Sequence, residues 1–99
     1  MAREPRETRY ELRPTRAFNR RLEIFVRRHP ELRGRLARIF RELEEDPFRA
    51  NLRLHSLTGE QAGKQAVSVT HKYRMLLTIN KSERAIELID IGSHDDVYR

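Results

Sequence analysis

The last ten residues carry the side chains with the clearest chemical potential. An apolar stretch over residues 86–91 runs into a glycine, and His94, two carboxylates, Tyr98 and an arginine follow at once. A second histidine, His55, lies in an earlier segment that also ends in glycine. Histidine exchanges protons near neutral pH because its unperturbed pKa is about 6.5, and arginine binds phosphate as a planar fork. These residue types indicate proton transfer beside an anionic group.

Hydrophobic periodicity in the first half predicts elements that would support these residues. Alternation from Thr8 to Leu12 predicts a short strand, and Thr15 is a good N-cap for a helix. Two apolar stripes at helical spacing follow: Phe18, Leu22, Phe25 and Val26, then Leu32, Leu36, Ile39, Phe40 and Leu43. His29 and Pro30 separate the stripes and Pro47 ends the second one, which predicts an antiparallel helical hairpin.

The second half predicts a small sheet. Residues 48–63 are expected to be irregular, and three strands are expected over residues 65–70, 73–79 and 85–91. The connections between them are short, so these strands form an antiparallel meander. The pleat places one set of side chains toward the helices, namely Val67, Val69, Met75, Leu77 and Ile79. It places the other set on the open face, namely Ser68, Thr70, Arg74 and Thr78.

The expected fold class is therefore α+β. A short N-terminal strand precedes an antiparallel helical hairpin, which packs on one face of a small twisted antiparallel sheet. Residues 1–7 are expected to form a flexible N-terminal tail, and residues 8–99 a single domain.

The composition narrows the class of protein. The 99-residue chain has no cysteine, which excludes disulfides and thiolate metal sites. Its four histidines show no zinc-ligand spacing, so we expect neither a metal nor another cofactor. We find no apolar run long enough to span a membrane and no signal peptide, so we expect a cytoplasmic protein with no membrane partner.

The charge points to an anionic partner. The net charge is +6 and the sequence pI is about 10.5. Residues 1–49 hold 14 of the 21 basic residues against 9 of the 15 acidic ones, and only three of the 21 are lysines. This arginine excess favours a nucleic acid or an acidic protein as partner. The alternative is an arginine-rich solvated surface with glutamate counterions.

Three local motifs occur in order along the chain. They are Leu54-His55-Ser56-Leu57-Thr58-Gly59, then Tyr73-Arg74-Met75-Leu76-Leu77, then Asp90-Ile91-Gly92-Ser93-His94 with Val97-Tyr98. Together with the order of strand, helical hairpin, loop and meander, they resemble the RelE/ParE superfamily of bacterial toxins, and most of all its YafQ-like branch. The resemblance covers roughly residues 8–99.

The resemblance implies a toxin of a type II toxin–antitoxin system. Such a toxin is a ribosome-dependent endoribonuclease that cleaves messenger RNA, and its partners are the ribosome, the messenger and a cognate antitoxin. Carried over to this sequence, the resemblance assigns functional roles to His55, His94 and Tyr98, and a contact with the reacting phosphate to Arg74. The candidate RNA contacts are Lys64, Gln65, Ser68 and Lys72, of which Lys72 also fits an exposed turn.

Metal-independent RNA cleavage needs a base for the ribose 2′-hydroxyl, an acid for the leaving 5′ oxygen and a cation on the phosphate. His55 and His94 suit the base and the acid, and the sequence leaves open which residue takes which role. Arg74 fits a phosphate clamp, or a salt bridge to Asp90, Asp95 or Asp96. Tyr98 fits stacking on a base, or simply covering the core. Asp95 and Asp96 would fix the tautomer of His94 or only make the C-terminal segment soluble.

The sequence departs from the family pattern at two places. Ala66 and Ser68 stand about where RelE-like members carry paired lysines. YafQ-like members have a histidine near Ser68 and an acid near Lys72, and this chain has neither. Two alternatives therefore remain: a ParE-like gyrase inhibitor, which binds without catalysis, and a catalytically decayed interaction module of the same fold.

Overall fold

The two long helices form where the apolar stripes predict them. In the computed structural model, which describes residues 9–98, α1 spans Arg16–Arg28 and α2 spans Arg33–Glu45. Thr15 caps α1, since its side-chain oxygen accepts a hydrogen bond from the backbone N–H of Phe18 at 3.0 Å. The predicted N-cap is therefore confirmed.

The connection between the helices is as short as the sequence suggests. A single 3-10 turn over Pro30–Leu32 links α1 to α2. The rings of Phe18 and Phe40 meet edge to face, with centroids 6.3 Å apart. Phe18 lies near the start of α1 and Phe40 in the second half of α2, so this contact confirms the antiparallel hairpin.

Five strands form one sheet in the order β1-β5-β4-β3-β2. Their bounds are β1 Glu11–Pro14, β2 His55–Ser56, β3 Gln65–Ser68, β4 Tyr73–Asn80 and β5 Ala85–Ser93. The pairs β2–β3, β3–β4 and β4–β5 are antiparallel, which confirms the meander. The α+β class is confirmed as well.

The sheet is mixed rather than wholly antiparallel, because β1 pairs with β5 in parallel. The alternation in β1 shows which side chains share a face but not whether β1 runs parallel or antiparallel to its neighbour. The connection from β1 to β5 contains the helices and the rest of the meander, and it is long enough for either direction. β1 also begins three residues later and ends two residues later than the predicted strand. The first residue of that predicted strand, Thr8, lies outside the described residues, as does the predicted tail over residues 1–7. Pro14 fits within β1 because β1 is an edge strand.

The segment over residues 48–63 is more ordered than predicted. It contains the short strand β2 and two 3-10 turns, Ala50–Leu52 and Gly59–Gln61. A strand of two residues has no periodicity to detect, which is why the sequence did not reveal it. β2 matters for the candidate site, because its first residue is His55, one of the predicted site residues.

The main hydrophobic core lies between the helices and one face of the sheet. Val67, Val69, Met75 and Leu77 are buried there as predicted, and Ile79 packs against the same core while partly buried. In β5 the pairing with β4 shifts between Leu76 and Leu77, which leaves Ile89 as an extra residue. This bulge changes the alternation of the strand, so that residues 86, 88 and 91 all enter the core.

The opposite face of the sheet is only partly open. A short helix, α3 over His94–Val97, follows β5 and packs against β4 and β5. Val97 is buried, as are Ala66 and Leu76, which pair across β3 and β4 outside the main core. α3 therefore forms one wall over a face that the meander alone would leave exposed. Within the described chain, no helix is long and apolar enough to cross a bilayer.

Candidate functional site

The four predicted catalytic residues line one surface pocket. His55, Arg74, His94 and Tyr98 surround a cavity of about 490 Å³. They come from three elements, since His55 is on β2, Arg74 on β4, and His94 and Tyr98 at the two ends of α3. Residues far apart in sequence thus share one concave surface, on the side of the sheet opposite the main core.

His55 is held at the outer edge of the sheet. It pairs with Ala66 of β3, and its side chain is exposed. Its ring Nδ1 lies 3.0 Å from the backbone carbonyl oxygen of Arg53. Arg53 ends the 3-10 turn over Ala50–Leu52 and has a left-handed backbone, with φ of 55° and ψ of 44°.

A glycine and a capping box set the position of α3. The Ser93 side chain accepts a hydrogen bond from the Asp96 backbone N–H at 3.3 Å, and the Asp96 carboxylate accepts one from the Ser93 backbone N–H at 3.2 Å. A Cβ atom on Gly92 would lie 2.8 Å from the Asp96 Cβ, so the helix folds back this closely only over a glycine. The motif Gly92-Ser93-His94 therefore determines where His94 stands.

His94 and Tyr98 contact each other within α3. Their ring centroids are 4.3 Å apart at 82°, an edge-on contact. The Tyr98 hydroxyl is buried and has no hydrogen-bond partner in the described part of the chain. The Asp95 carboxylate is 3.8 Å from His94 Nδ1, too far for a hydrogen bond, and Asp96 serves the capping box. Asp95 therefore does not fix the His94 ring by a hydrogen bond.

Arg74 presents a half-buried guanidinium to the pocket from the central strand β4. On β4 it pairs with Ser68 of β3 and Gly92 of β5. Asp90, one of the carboxylates considered as its partner, forms an ion pair with Arg21 of α1 at 3.0 Å. Among residues 9–98, no carboxylate lies within salt-bridge distance of Arg74. The arginine is therefore available to an anion.

The predicted RNA contacts do not form one cluster. Ser68 is opposite Arg74, and the Lys64 ammonium donates to the side chain of Gln61, which lines the pocket, at 3.0 Å. Gln65 alternates with Ala66, in line with Val67, so it lies on the helix-facing side, where its side-chain oxygen is buried.

Lys72 lies apart from the pocket, in the turn between β3 and β4. It lines a second cavity of about 420 Å³ together with Arg21 and Arg28. The two remaining histidines are also elsewhere. The His29 ring packs 4.7 Å from those of Phe25 and Tyr73, and His71 is exposed in the turn. No three His, Asp or Glu side chains of the described residues cluster in a way that could hold a metal ion.

No protein-family model matches the chain, and no curated protein matches it in sequence. Solved structures do match. YafQ from E. coli strain BL21(DE3) superimposes with a TM-score of 0.77 at 13% identity, over 91% of this chain and 99% of that one. YafQ in the E. coli DinJ–YafQ toxin–antitoxin complex gives 0.75 at 14%, over 92% and 99%. The YoeB/ParE toxin from Agrobacterium tumefaciens gives 0.72 at 20%, over 85% and 98%.

The chain has the RelE-like toxin fold. Superpositions at sequence identities this low establish the fold only. The chemistry has to be argued from the residues of this chain. The superpositions confirm the fold that the three motifs implied, and each motif supplies a residue to the same pocket, namely His55, Arg74 and His94.

The pocket of this RelE-like fold also contains polar residues that the sequence reasoning missed. Thr58, Glu60 and Gln61 line it, all from the connection between β2 and β3. Glu60 brings a carboxylate near the site, although the sequence has no acid near Lys72. Their position just after the first motif could have pointed to these residues. The sequence alone does not show that this loop lines the same pocket as Arg74.

Proposed function

We propose that this protein is the toxin of a type II toxin–antitoxin system and cleaves messenger RNA on the ribosome without a metal ion. The observation that carries the proposal is the meeting of His55, His94, Arg74 and Tyr98 in one pocket. Two imidazoles can supply the base and the acid that transphosphorylation of RNA requires, and a guanidinium can supply the cation on the phosphate. The RelE-like fold is consistent with this activity.

The proposed reaction uses these side chains in complementary roles. One histidine removes the proton of the ribose 2′-hydroxyl, and the 2′ oxygen attacks phosphorus to form a 2′,3′-cyclic phosphate. The bond to the 5′ oxygen breaks, and the other histidine, in its protonated form, gives a proton to that oxygen. Arg74 stabilises the negative charge on the phosphate, and no carboxylate among residues 9–98 lies within salt-bridge distance of it.

Tyr98 and the residues around the pocket would hold the RNA. The Tyr98 ring already stands edge-on to His94, so it fits orienting the neighbouring nucleotide or the His94 ring. Ser68, which pairs with Arg74, and Lys64, which bonds to Gln61, would contact the flanking backbone. Lys72 would contact RNA or ribosome only outside the pocket. Gln65 is the least suited of the proposed contacts because it lies on the helix side.

The proposed partners follow from fold and charge. YafQ is found with the antitoxin DinJ in a solved complex, and we propose a cognate antitoxin for this chain in the same way. The net charge of +6 suits ribosomal RNA and an acidic antitoxin alike. A cytoplasmic site of action follows from a ribosomal target.

The proposal is tested in a cell-free translation reaction with purified, antitoxin-free protein. Added protein should generate new messenger 3′ ends within codons, and the ends should be absent when ribosomes are omitted. A DNA-gyrase supercoiling assay run in parallel tests the binding-only alternative. Folded protein that produces no 3′ ends and inhibits gyrase would overturn the nuclease proposal, and folded protein that is inert in both assays would indicate an interaction module.

A further inference from the structure

We infer that Arg53 is a positioning residue, whose strained backbone aims its carbonyl at His55 and so holds that histidine in the tautomer with an unprotonated Nε2. The tautomer itself depends only on the structure. Its catalytic meaning, that His55 is the base and His94 the acid, rests on the proposed function.

The backbone of Arg53 is unusual for its residue type. Only Arg53 and Arg84 among the non-glycine residues of the described chain have positive φ, 55° and 52°. Left-handed conformations are disfavoured for most residues other than glycine, because the Cβ crowds the following carbonyl oxygen. Arg84 lies in the β4–β5 turn, where such residues are common. Arg53 lies directly before the strand that carries His55.

The surrounding structure fixes Arg53 from both sides. On one side, Leu52 is anchored in the core at 1% exposure, and the Arg53 N–H donates to the Ala50 carbonyl at 3.1 Å. On the other side, His55 and Ser56 pair with β3. A chain that must leave the core and join the sheet edge within two residues has to turn sharply at this position. Such strain persists where neighbours enforce it, and it is found often at functional sites.

The consequence of this turn is chemical. The Arg53 carbonyl oxygen lies 3.0 Å from His55 Nδ1, and a carbonyl oxygen only accepts hydrogen bonds. The proton of the neutral ring must therefore be on Nδ1, which leaves a lone pair on Nε2. A nitrogen with a free lone pair accepts a proton, as the base for a ribose 2′-hydroxyl must. His94, whose Nδ1 lies 3.8 Å from Asp95, has no comparable carbonyl contact in the described chain and is left as the acid.

The tautomer is measured without RNA. Long-range proton–nitrogen correlation spectra of the ¹⁵N-labelled full chain distinguish the two tautomers of each histidine. The spectra are recorded at a pH high enough for the rings to be neutral. The His55→Gln variant identifies the His55 signals by their loss. We expect the Nδ1-protonated form to dominate at His55. A dominant Nε2-protonated form would overturn the inference.

Two substitutions of Arg53 test the role of its backbone. Arg53→Gly accepts positive φ without strain, and we expect it to keep the tautomer of the natural protein. Arg53→Val disfavours positive φ, since its side chain is β-branched, and we expect a mixture of tautomers at His55. If Arg53→Val fails to fold, the comparison of Arg53→Gly with the natural protein still decides, because a changed tautomer in Arg53→Gly contradicts the inference.

Cleavage measured on the same variants separates backbone from charge. We expect Arg53→Gly to cleave like the natural protein and Arg53→Val to lose roughly tenfold or more, as misplacing a general base does. If Arg53→Gly loses activity with its tautomer intact while Arg53→Lys retains it, Arg53 acts by its charge and the positioning role is overturned. If the tautomers behave as expected but the natural protein cleaves nothing, the proposed function fails and the positioning by Arg53 stands.

Discussion

At the scale of single residues, the pocket brings together side chains that are ordinary when considered alone. His55 and His94 are both exposed, and their interest lies in facing the same cavity as Arg74. His71 is equally exposed but lies in a turn outside that cavity. Exposure therefore does not distinguish the two candidate histidines from His71, whereas their shared position in the pocket does.

Replacing either pocket histidine by alanine should reduce messenger cleavage about 100-fold or more, because each removes one proton-transfer group. The measurement is primer extension on messenger RNA from a cell-free translation reaction. His71→Ala is the matched control and should cleave like the natural protein. Equal cleavage by all three variants would remove both His55 and His94 from the mechanism.

Tyr98→Phe separates stability from function. The Tyr98 hydroxyl is buried without a partner in the described chain, so removing it should leave the free energy of unfolding unchanged or raise it by about 1 kcal/mol. Urea denaturation measures that change. Cleavage should change little, because the buried hydroxyl does not face the RNA and the aromatic ring beside His94 is kept. A large loss of stability would instead show that the hydroxyl has a structural partner.

At the scale of elements, α3 is the helix that the periodicity of the sequence did not predict. Four residues are too few for a helical stripe, and the sequence predicted a strand over residues 85–91 with no element after it. The Ser93–Asp96 capping box and the close approach over Gly92 create the helix locally. Burial of Val97 then ties it to the sheet.

Gly92→Ala should displace α3. The added Cβ would meet the Asp96 Cβ at 2.8 Å, and we expect a loss of about 1–3 kcal/mol in unfolding free energy together with reduced cleavage. Gly34→Ala in α2 is the control, since nothing lies within 4 Å of its added Cβ. That variant should gain about 0.5–1 kcal/mol and cleave normally. Chemical denaturation and primer extension measure both effects, and an unaffected Gly92→Ala would show that α3 tolerates a wider spacing.

At the scale of the whole molecule, the two halves of the chain differ in their charge and in the elements that they form. The arginine-rich first half forms the helices, while the second half forms most of the sheet and the pocket. This division suits a protein that docks on RNA through one surface and acts on it with another.

Ribosome binding should depend steeply on salt. Neutralising several phosphates releases counterions, so affinity for ribosomes should fall at least roughly tenfold between about 50 and 200 mM salt. Co-sedimentation at a series of salt concentrations measures the slope. The His55→Gln variant should show the same slope, because its change lies in the pocket and removes no permanent charge. An affinity for ribosomes that does not change with salt concentration would contradict docking through arginines.

The sequence by itself determined the elements with a clear period. Four apolar residues at helical spacing specify α1 and five specify α2, with Thr15 before the first helix and Pro47 after the second. Alternation specified the meander and the core face of β4. These features are local, so neighbouring residues encode them. The motif resemblance added the RelE-like architecture and the four candidate residues.

Only the tertiary structure decided how those residues meet. Four features depend on how distant segments pair in the sheet. They are the direction of β1, the two-residue strand β2, the bulge at Ile89 and the left-handed turn at Arg53. None of these features has a repeat that sequence can display. The pocket is built from their combined effect, because His55, Arg74 and His94 reach it from three elements that contact only after the chain has folded.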